Sequence, residues 1–421
     1  MADILRFVHL SDIHFGQESA GQRVPYTDIR KQLVKDARQI SLERGHCHGI
    51  LAAGDIANKG KREEYNEAAT WFDELTSAVK CKKTKICVVP GNHDVDRTAI
   101  KVTAKTFHDR IRQNPLEADN ILAELAEESP DNHPLLNPLT NYNVFAEQYG
   151  CSIGTPDQPY WMKPFRFVSG YAIEVVGMTS VLVSNSEDAA EKMVLGSSQY
   201  TLDQVDDREI FAMFHHPLCW LMDSDRAGDF LFSRSRAIIT GHKHRQRIHM
   251  HSAMTGEQIL MVESGAVTPP RGESGYGFVY NWLEFDLDVS DRNNPKIKVT
   301  VLPRHWSYDL TKFTAHTEAT SFHISCPRLQ NLFPGDRQPS QTTHVDMTQS
   351  DQLEEVRLMF WRLSNKDRLR ILLALDLIPD SLSNSTLSLW EERAALRRAH
   401  SEEKLAEIRR EIESIQQEEP T

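Results

Sequence analysis

The stretch Val88-Val89-Pro90-Gly91-Asn92-His93-Asp94 constrains this chain more than any other. The apolar run Ile86 to Val89 stops at a turn, and the turn presents an amide, an imidazole and a carboxylate in succession. Such a run reads as a buried strand ending at a sheet edge, where open α/β sheets place their ligands. Pro90 and Gly91 supply the sharp turn. Asn92 offers a neutral oxygen, and His93 is of the residue type that moves protons near neutral pH. Alone, Asn, His and Asp are ordinary loop residues. The rest of the chain gives them weight.

The same pattern recurs on both sides of this stretch. Ile4 to Leu10 ends in Ser11-Asp12-Ile13-His14. In extended backbone Asp12 and His14 would point to one side, where a carboxylate and an imidazole could chelate one ion. Helical spacing over 27–44 stops at Gly45, and Gly49 to Ala53 is a second buried strand ending in Gly54-Asp55. A helix over 63–79 leads to the third strand. This β-α-β-α-β order predicts right-handed crossovers and a sheet covered by helices. Residues 97–160 are a helical insertion broken by Pro130, Pro134 and Pro138, and they follow the Asn92-His93 turn directly. Strand signals return at 173–183, at 209–214 ending in His215-His216-Pro217, and at 237–240 ending in Gly241-His242-Lys243-His244. Runs at 259–262, 277–287 and 296–302 read as a more antiparallel second half.

Residues 1–330 thus form one unit, and the polar, Pro- and Gly-punctuated residues 331–350 read as a linker. Residues 351–421 form a helical module. Leu353, Val356, Phe360 and Leu363 mark one helix face, and Ser364 with Asp367 caps a helix that Pro379 ends. One charged helix is expected over 388–417, with Leu405, Ile408, Ile412 and Ile415 at heptad spacing.

The formal charge of −12, from 48 basic and 60 acidic residues, disfavours a broad nucleic-acid face. The six cysteines are scattered without a CxxC pair, which points to reduced thiols and a cytoplasmic protein. No window reaches the apolar length that spans a bilayer, so no membrane partner is expected.

Five strand ends therefore carry D-x-H, G-D, G-N-H-D, H-H-P and G-H-x-H. Carboxylate, imidazole and amide donors without a thiolate suit borderline-hard divalent ions: Mn²⁺ first, Fe or Zn²⁺ as alternatives. So many donors exceed one ion and suit two that share a carboxylate. In these blocks the chain resembles the calcineurin-like metallophosphoesterase superfamily over about residues 4–285. It is similar in particular to bacterial class III cyclic-nucleotide phosphodiesterases.

The resemblance implies an α/β fold, a four-layer α/β/β/α sandwich of two mixed sheets, with a small all-α C-terminal domain beside it. It implies that Asp12, His14 and His244 hold one metal, that Asn92, His215 and His242 hold the other, and that Asp55 bridges them. His215 is preferred to His216 as the ligand of the His-His-Pro block. His93 would act on the leaving oxygen, and Asp94 would orient it. Two such ions activate a water between them and clamp the oxygens of an in-line displacement. The implied activity is a metal-dependent phosphoesterase acting on a phosphodiester or phosphomonoester, a small or cyclic nucleotide first. A DNA/RNA nuclease and a non-catalytic scaffold on the same fold are the alternatives. The tail weakly resembles helical adaptor domains of bacterial defence and signalling effectors. A protein partner or self-association is expected through it.

Overall fold

The computed structural model describes residues 3–418 except 19–24, 126–132, 154–158, 204–207, 253–257, 270–276, 292, 316–318, 333–346 and 384–385. Its first half alternates β1 (Ile4–Leu10), α1 (Pro25–Arg44), β2 (Gly49–Ala52), α2 (Arg62–Ala78) and β3 (Ile86–Val88). Then come α3 (Val102–Gln113), α4 (Glu117–Glu124) and α5 (Thr140–Glu147) of the insertion. The second sheet begins with β4 (Tyr160–Arg166) and β5 (Ala172–Met178). The one-turn α6 (Ser197–Tyr200), β6 (Arg208–Met213), α7 (Ser224–Arg234) and β7 (Ser235–Thr240) follow. β8 (Arg247–Ser252) and β9 (Gln258–Glu263) complete that sheet. β10 (Val279–Asp288), β11 (Lys296–Ser307), β12 (Lys312–Ala315) and β13 (Thr320–Ser325) return to the first.

The first sheet runs β12-β11-β10-β1-β2-β3, with β13 also on β11, and the second runs β4-β5-β6-β7-β9-β8. β1, β2 and β3 are parallel, as their helical crossovers require, and β10 joins β1 antiparallel. Aromatic rings lock the two sheets face to face. Phe7 of β1 meets Phe165 of β4 at 4.8 Å, and Phe211 of β6 meets Phe285 of β10 at 5.2 Å. The result is the expected α/β/β/α sandwich of two mixed sheets.

Three local readings change. β9 is parallel to β7, so the run at 259–262 belongs to the second sheet and not to an antiparallel set with β10 and β11. The linker read at 331–350 falls mostly on 333–346, outside the described residues, and from Met347 the chain is already helical. The single helix read at 388–417 is two, α10 (Leu389–Ser401) and α11 (Leu405–Glu418), which follow α8 (Met347–Phe360) and α9 (Asn365–Ala374). Glu403 takes a left-handed φ of 59°, and the Lys404 N–H closes on the Ala399 carbonyl at 2.8 Å. The break folds Leu405, Ile408, Ile412 and Ile415 back onto Phe360, Ile371 and Leu372. The tail thereby has a hydrophobic core of its own, separate from the core of the sandwich.

Candidate metal centre

Three of the five motifs leave their strands in turns that carry backbone strain. Asp12, His14, Asp55, His242 and His244 all have left-handed φ angles, between 50° and 71°. Side chains other than Gly seldom adopt this region, and such strain collects at functional sites. The sequence reading has Asp12 and His14 pointing together from extended backbone; they converge from left-handed turns instead. The Asp12 N–H bonds the Gly54 carbonyl at 3.0 Å and the His14 N–H bonds the Asp55 carbonyl at 3.0 Å, which ties the first two motifs together.

The motif glycines are explained by close approach. A Cβ at Gly91 would lie 2.1 Å from Asp55 Oδ1, and one at Gly54 would lie 2.4 Å from His215 Nδ1. Neither position has room for a side chain.

Four groups of donors result, each with its ligand atoms within 4.8 Å of one another. They are Asp12-His14-His244, His14-Asp55-His93, Asp12-Asp55-His215 and His215-His216-His242. They share members, so they form one continuous centre. Asn92 lies on the turn whose next N–H, that of His93, bonds Asp55 Oδ1 at 2.8 Å. All the candidate metal residues except the outer His242 and His244 are buried.

These residues fit cations. Both His14 ring nitrogens and Asn92 Oδ1 are buried without a hydrogen-bond partner, while Asp12 Oδ1 and Asp55 Oδ2 face the imidazole nitrogens of His244 at 3.1 Å and His215 at 3.4 Å. Buried polar atoms without partners are costly unless a ligand satisfies them. Charge agrees. Burial alone would raise both acids, but the imidazoles of His244 and His215 hold Asp12 at about 2, and those of His215 and His93 hold Asp55 well below the usual carboxylate range. Burial lowers His14 to about 4 and His242 to about 3, leaving neutral imidazoles with lone pairs to give. Against the same burial, the Asp55 carboxylate draws His215 up to about 9, and the proton it attracts stands where a cation would.

His93 behaves differently. Its Nδ1 lies 2.9 Å from the Asn58 carbonyl, and a carbonyl only accepts. Nδ1 therefore carries a hydrogen, and Nε2 is the atom left for chemistry. Its ring stands 4.7 Å from that of His14.

Asp94, expected to orient His93, makes its hydrogen bonds to other groups. Its Oδ1 accepts from the Ala57 N–H at 2.8 Å and the Tyr65 hydroxyl at 2.9 Å. Its Oδ2 accepts from the Ile56 N–H at 3.1 Å and the Gly91 N–H at 2.9 Å. Burial and the neighbouring Asp55 raise it to about 7. Asp94 thus bonds the Ile56-Ala57 backbone, next to the Asn58 carbonyl that meets His93.

Sequence reading misses Asn58, Tyr65 and Ser180. Ser180 was findable. It follows an apolar strand end, as the motifs do, and its hydroxyl lies 2.9 Å from His216 Nδ1. Asn58 acts through its carbonyl, which no side-chain pattern encodes.

A two-sheet sandwich with an Asp/His/Asn centre at its strand ends defines a class, and sequence comparison agrees with it. Residues 5–246 match the family model described as calcineurin-like phosphoesterase, and the chain belongs to that family. Residues 352–414 match a second family, described as a GTPase-associated adaptor domain. Comparison with curated proteins gives no match. Among solved structures the chain is similar to a purple acid phosphatase from yellow lupin (Lupinus luteus) seeds, at 12% identity and TM-score 0.41, over 82% of this chain and 57% of that one. It is also similar to a hypothetical protein of Thermus thermophilus, at 14% identity and TM-score 0.31, over 77% and 100%. A third is the Thermus thermophilus sulfate thiohydrolase SoxB, at 13% identity and TM-score 0.34, over 79% and 58%. The chain thus spans little more than half the length of the lupin protein. No helix among the described residues is long and apolar enough to cross a membrane.

Proposed function

We propose that this chain is a dimetal-dependent phosphoesterase, and that its substrate is a small phosphodiester, a cyclic or other small nucleotide first. The convergence of donor residues from five strand ends, several of their atoms buried without a hydrogen-bond partner, carries this reading. In it, Asp12, His14 and His244 would hold one ion, Asn92, His215 and His242 would hold the other, and Asp55 would serve both. Mn²⁺ is the metal we favour, with Fe or Zn²⁺ as alternatives. Bound there, the ions would activate water and neutralise phosphoryl charge.

The chain's own residues do the rest. The Asn58 carbonyl keeps the His93 ring in one orientation, so Nε2 can hold the proton that a leaving alkoxide needs. Asp55 Oδ1 fixes the His93 backbone, which couples the position of that proton to the bridging carboxylate. The charge of −12 supports a small ester over a polymer.

We further propose the division into a catalytic domain over 1–330, a linker over 331–350 and a module over 351–421. The match to a GTPase-associated adaptor domain supports the idea that this module recruits a GTPase partner.

Hydrolysis by the Mn²⁺-loaded chain of p-nitrophenyl phosphate, bis-p-nitrophenyl phosphate, 2′,3′- and 3′,5′-cyclic nucleotides, and DNA and RNA strands tests the substrate class. Preference for small diesters is expected, and rapid cutting of the polymers would make the protein a nuclease. A chain ending at residue 340 should keep hydrolysis. Loss of hydrolysis there would contradict the division into domains.

A further inference from the structure

His215 and His216 are adjacent, buried and differently wired. His215 Nδ1 lies 2.8 Å from the Ala53 carbonyl, which only accepts, so its hydrogen sits on Nδ1. Nε2 lies 3.4 Å from Asp55 Oδ2, and with a cation in place of the proton that Asp55 attracts it would offer its lone pair. This is the tautomer a metal ligand needs.

His216 is wired the other way round. Its backbone N–H donates to Ser180 Oγ at 3.1 Å, and its Nδ1 lies 2.9 Å from the same oxygen. Ser180 is fully buried. A hydroxyl has one proton to give. With the backbone hydrogen already directed at Oγ, the hydroxyl proton belongs between Oγ and Nδ1. If Nδ1 were the protonated nitrogen, Oγ would receive two hydrogens and its own would be buried with no acceptor. Nδ1 therefore accepts, and the ring hydrogen sits on Nε2.

That Nε2 is buried without a partner. A ring nitrogen of His216 lies within 4.8 Å of ligand atoms on His215 and His242. Trp220 holds the plane of the ring: it stacks on His216 at 5.5 Å and meets His242 edge-on at 3.9 Å. An imidazole fixed this way has no lone pair for a cation and one N–H that lacks an acceptor. We propose that His216 is a phosphate-binding residue, donating from Nε2 to a phosphoryl oxygen at the His215-His242 end of the centre. This rests on the dimetal reading above. His93 works among His14 and Asp55, so the two non-ligand imidazoles serve different ends of the bound ester.

The test uses the full-length chain and three variants. His216→Ala removes the donor, His216→Gln keeps an N–H near the same place, and Ser180→Ala releases the tautomer while sparing the imidazole. Bound Mn²⁺ per chain, the Kd for inorganic phosphate, and the imidazole ¹⁵N shifts of the Zn²⁺-loaded protein are read. His216→Ala and Ser180→Ala should keep both ions and weaken phosphate binding, by on the order of tenfold for the lost charge-assisted bond. His216→Gln should recover most of that loss, and the wild-type shifts should report Nε2–H at His216. Loss of one ion in His216→Ala, an Nδ1–H tautomer, or an unchanged phosphate Kd with two ions bound would each overturn this inference alone. A wild-type chain that takes up no Mn²⁺ would overturn the dimetal reading with it.

Discussion

His93 and Asp94 are neighbours in sequence with separate duties in the structure. His93 faces the donor cluster with Nε2 free, whereas Asp94 spends both oxygens on three backbone N–H groups and the Tyr65 hydroxyl. His93→Ala should therefore leave bound metal intact and cut turnover by roughly 10²–10⁴-fold, the usual worth of a general acid. Metal analysis beside steady-state rates checks this, and a large loss of metal would make His93 a ligand. Asp94→Asn would set an amide NH₂ against groups that are themselves donors. It should lower stability by about 2–4 kcal/mol, measurable by urea unfolding, because buried donors would lose their acceptor. At this scale the side-chain donors were legible, because each stands in a short motif at the end of an apolar run. The backbone parts were not: the left-handed turns of Asp12, His14 and Asp55 and the Asn58 carbonyl depend on how the strand ends meet.

At the scale of elements, the buried strands were readable because both their faces are covered, which gives unbroken apolar runs such as β2 and β3. β4 and β8 do not stand out. They lie at the two edges of the second sheet, and β8, Arg-Ile-His-Met-His-Ser, is half-exposed along its length. The divided helix at 402–404 also escapes the pattern. The apolar seam from Leu405 to Ile415 lies wholly after it, and the turn that reverses the chain rests on one positive φ at Glu403. The Ser364 cap was legible from residue type and spacing, and its hydroxyl accepts the Asp367 N–H at 3.2 Å. Ser364→Ala should cost about 1 kcal/mol, seen as a lower thermal midpoint for the tail, since it removes the acceptor of an N-cap. An unchanged midpoint would mean that the cap contributes nothing.

Across the whole molecule, charge joins the helical tail to the catalytic sandwich. Arg357 and Arg393 flank buried Glu147 of α5 at 3.5 and 3.4 Å, Arg362 meets Asp73 of α2 at 2.6 Å, and Lys85 meets Glu354 at 3.3 Å. None of these pairs was readable in advance, because their partners lie far apart in sequence. Burial alone would raise Asp73, but hydrogen bonds from Arg362 and Lys83 outweigh it and hold the carboxyl below its ordinary range. A lowered folded-state pKa gives stability that is present above the unfolded value and is lost as pH falls through the folded one. The docked tail should therefore loosen at acid pH, and Glu147→Gln should loosen it at neutral pH. Limited proteolysis between the two parts would show either effect, and equal protection in wild type and variant would contradict it.

In the function proposed above, the five strand ends build a dimetal phosphoesterase centre that depends on Asp55. Hydrolysis of bis-p-nitrophenyl phosphate by Mn²⁺-loaded wild-type and Asp55→Asn protein, with bound metal measured on the same samples, tests it most directly. Chelator-sensitive hydrolysis by the wild type is expected, with both activity and metal lost from the variant. Full activity and full metal content in Asp55→Asn, or a wild type that binds no metal, would contradict it.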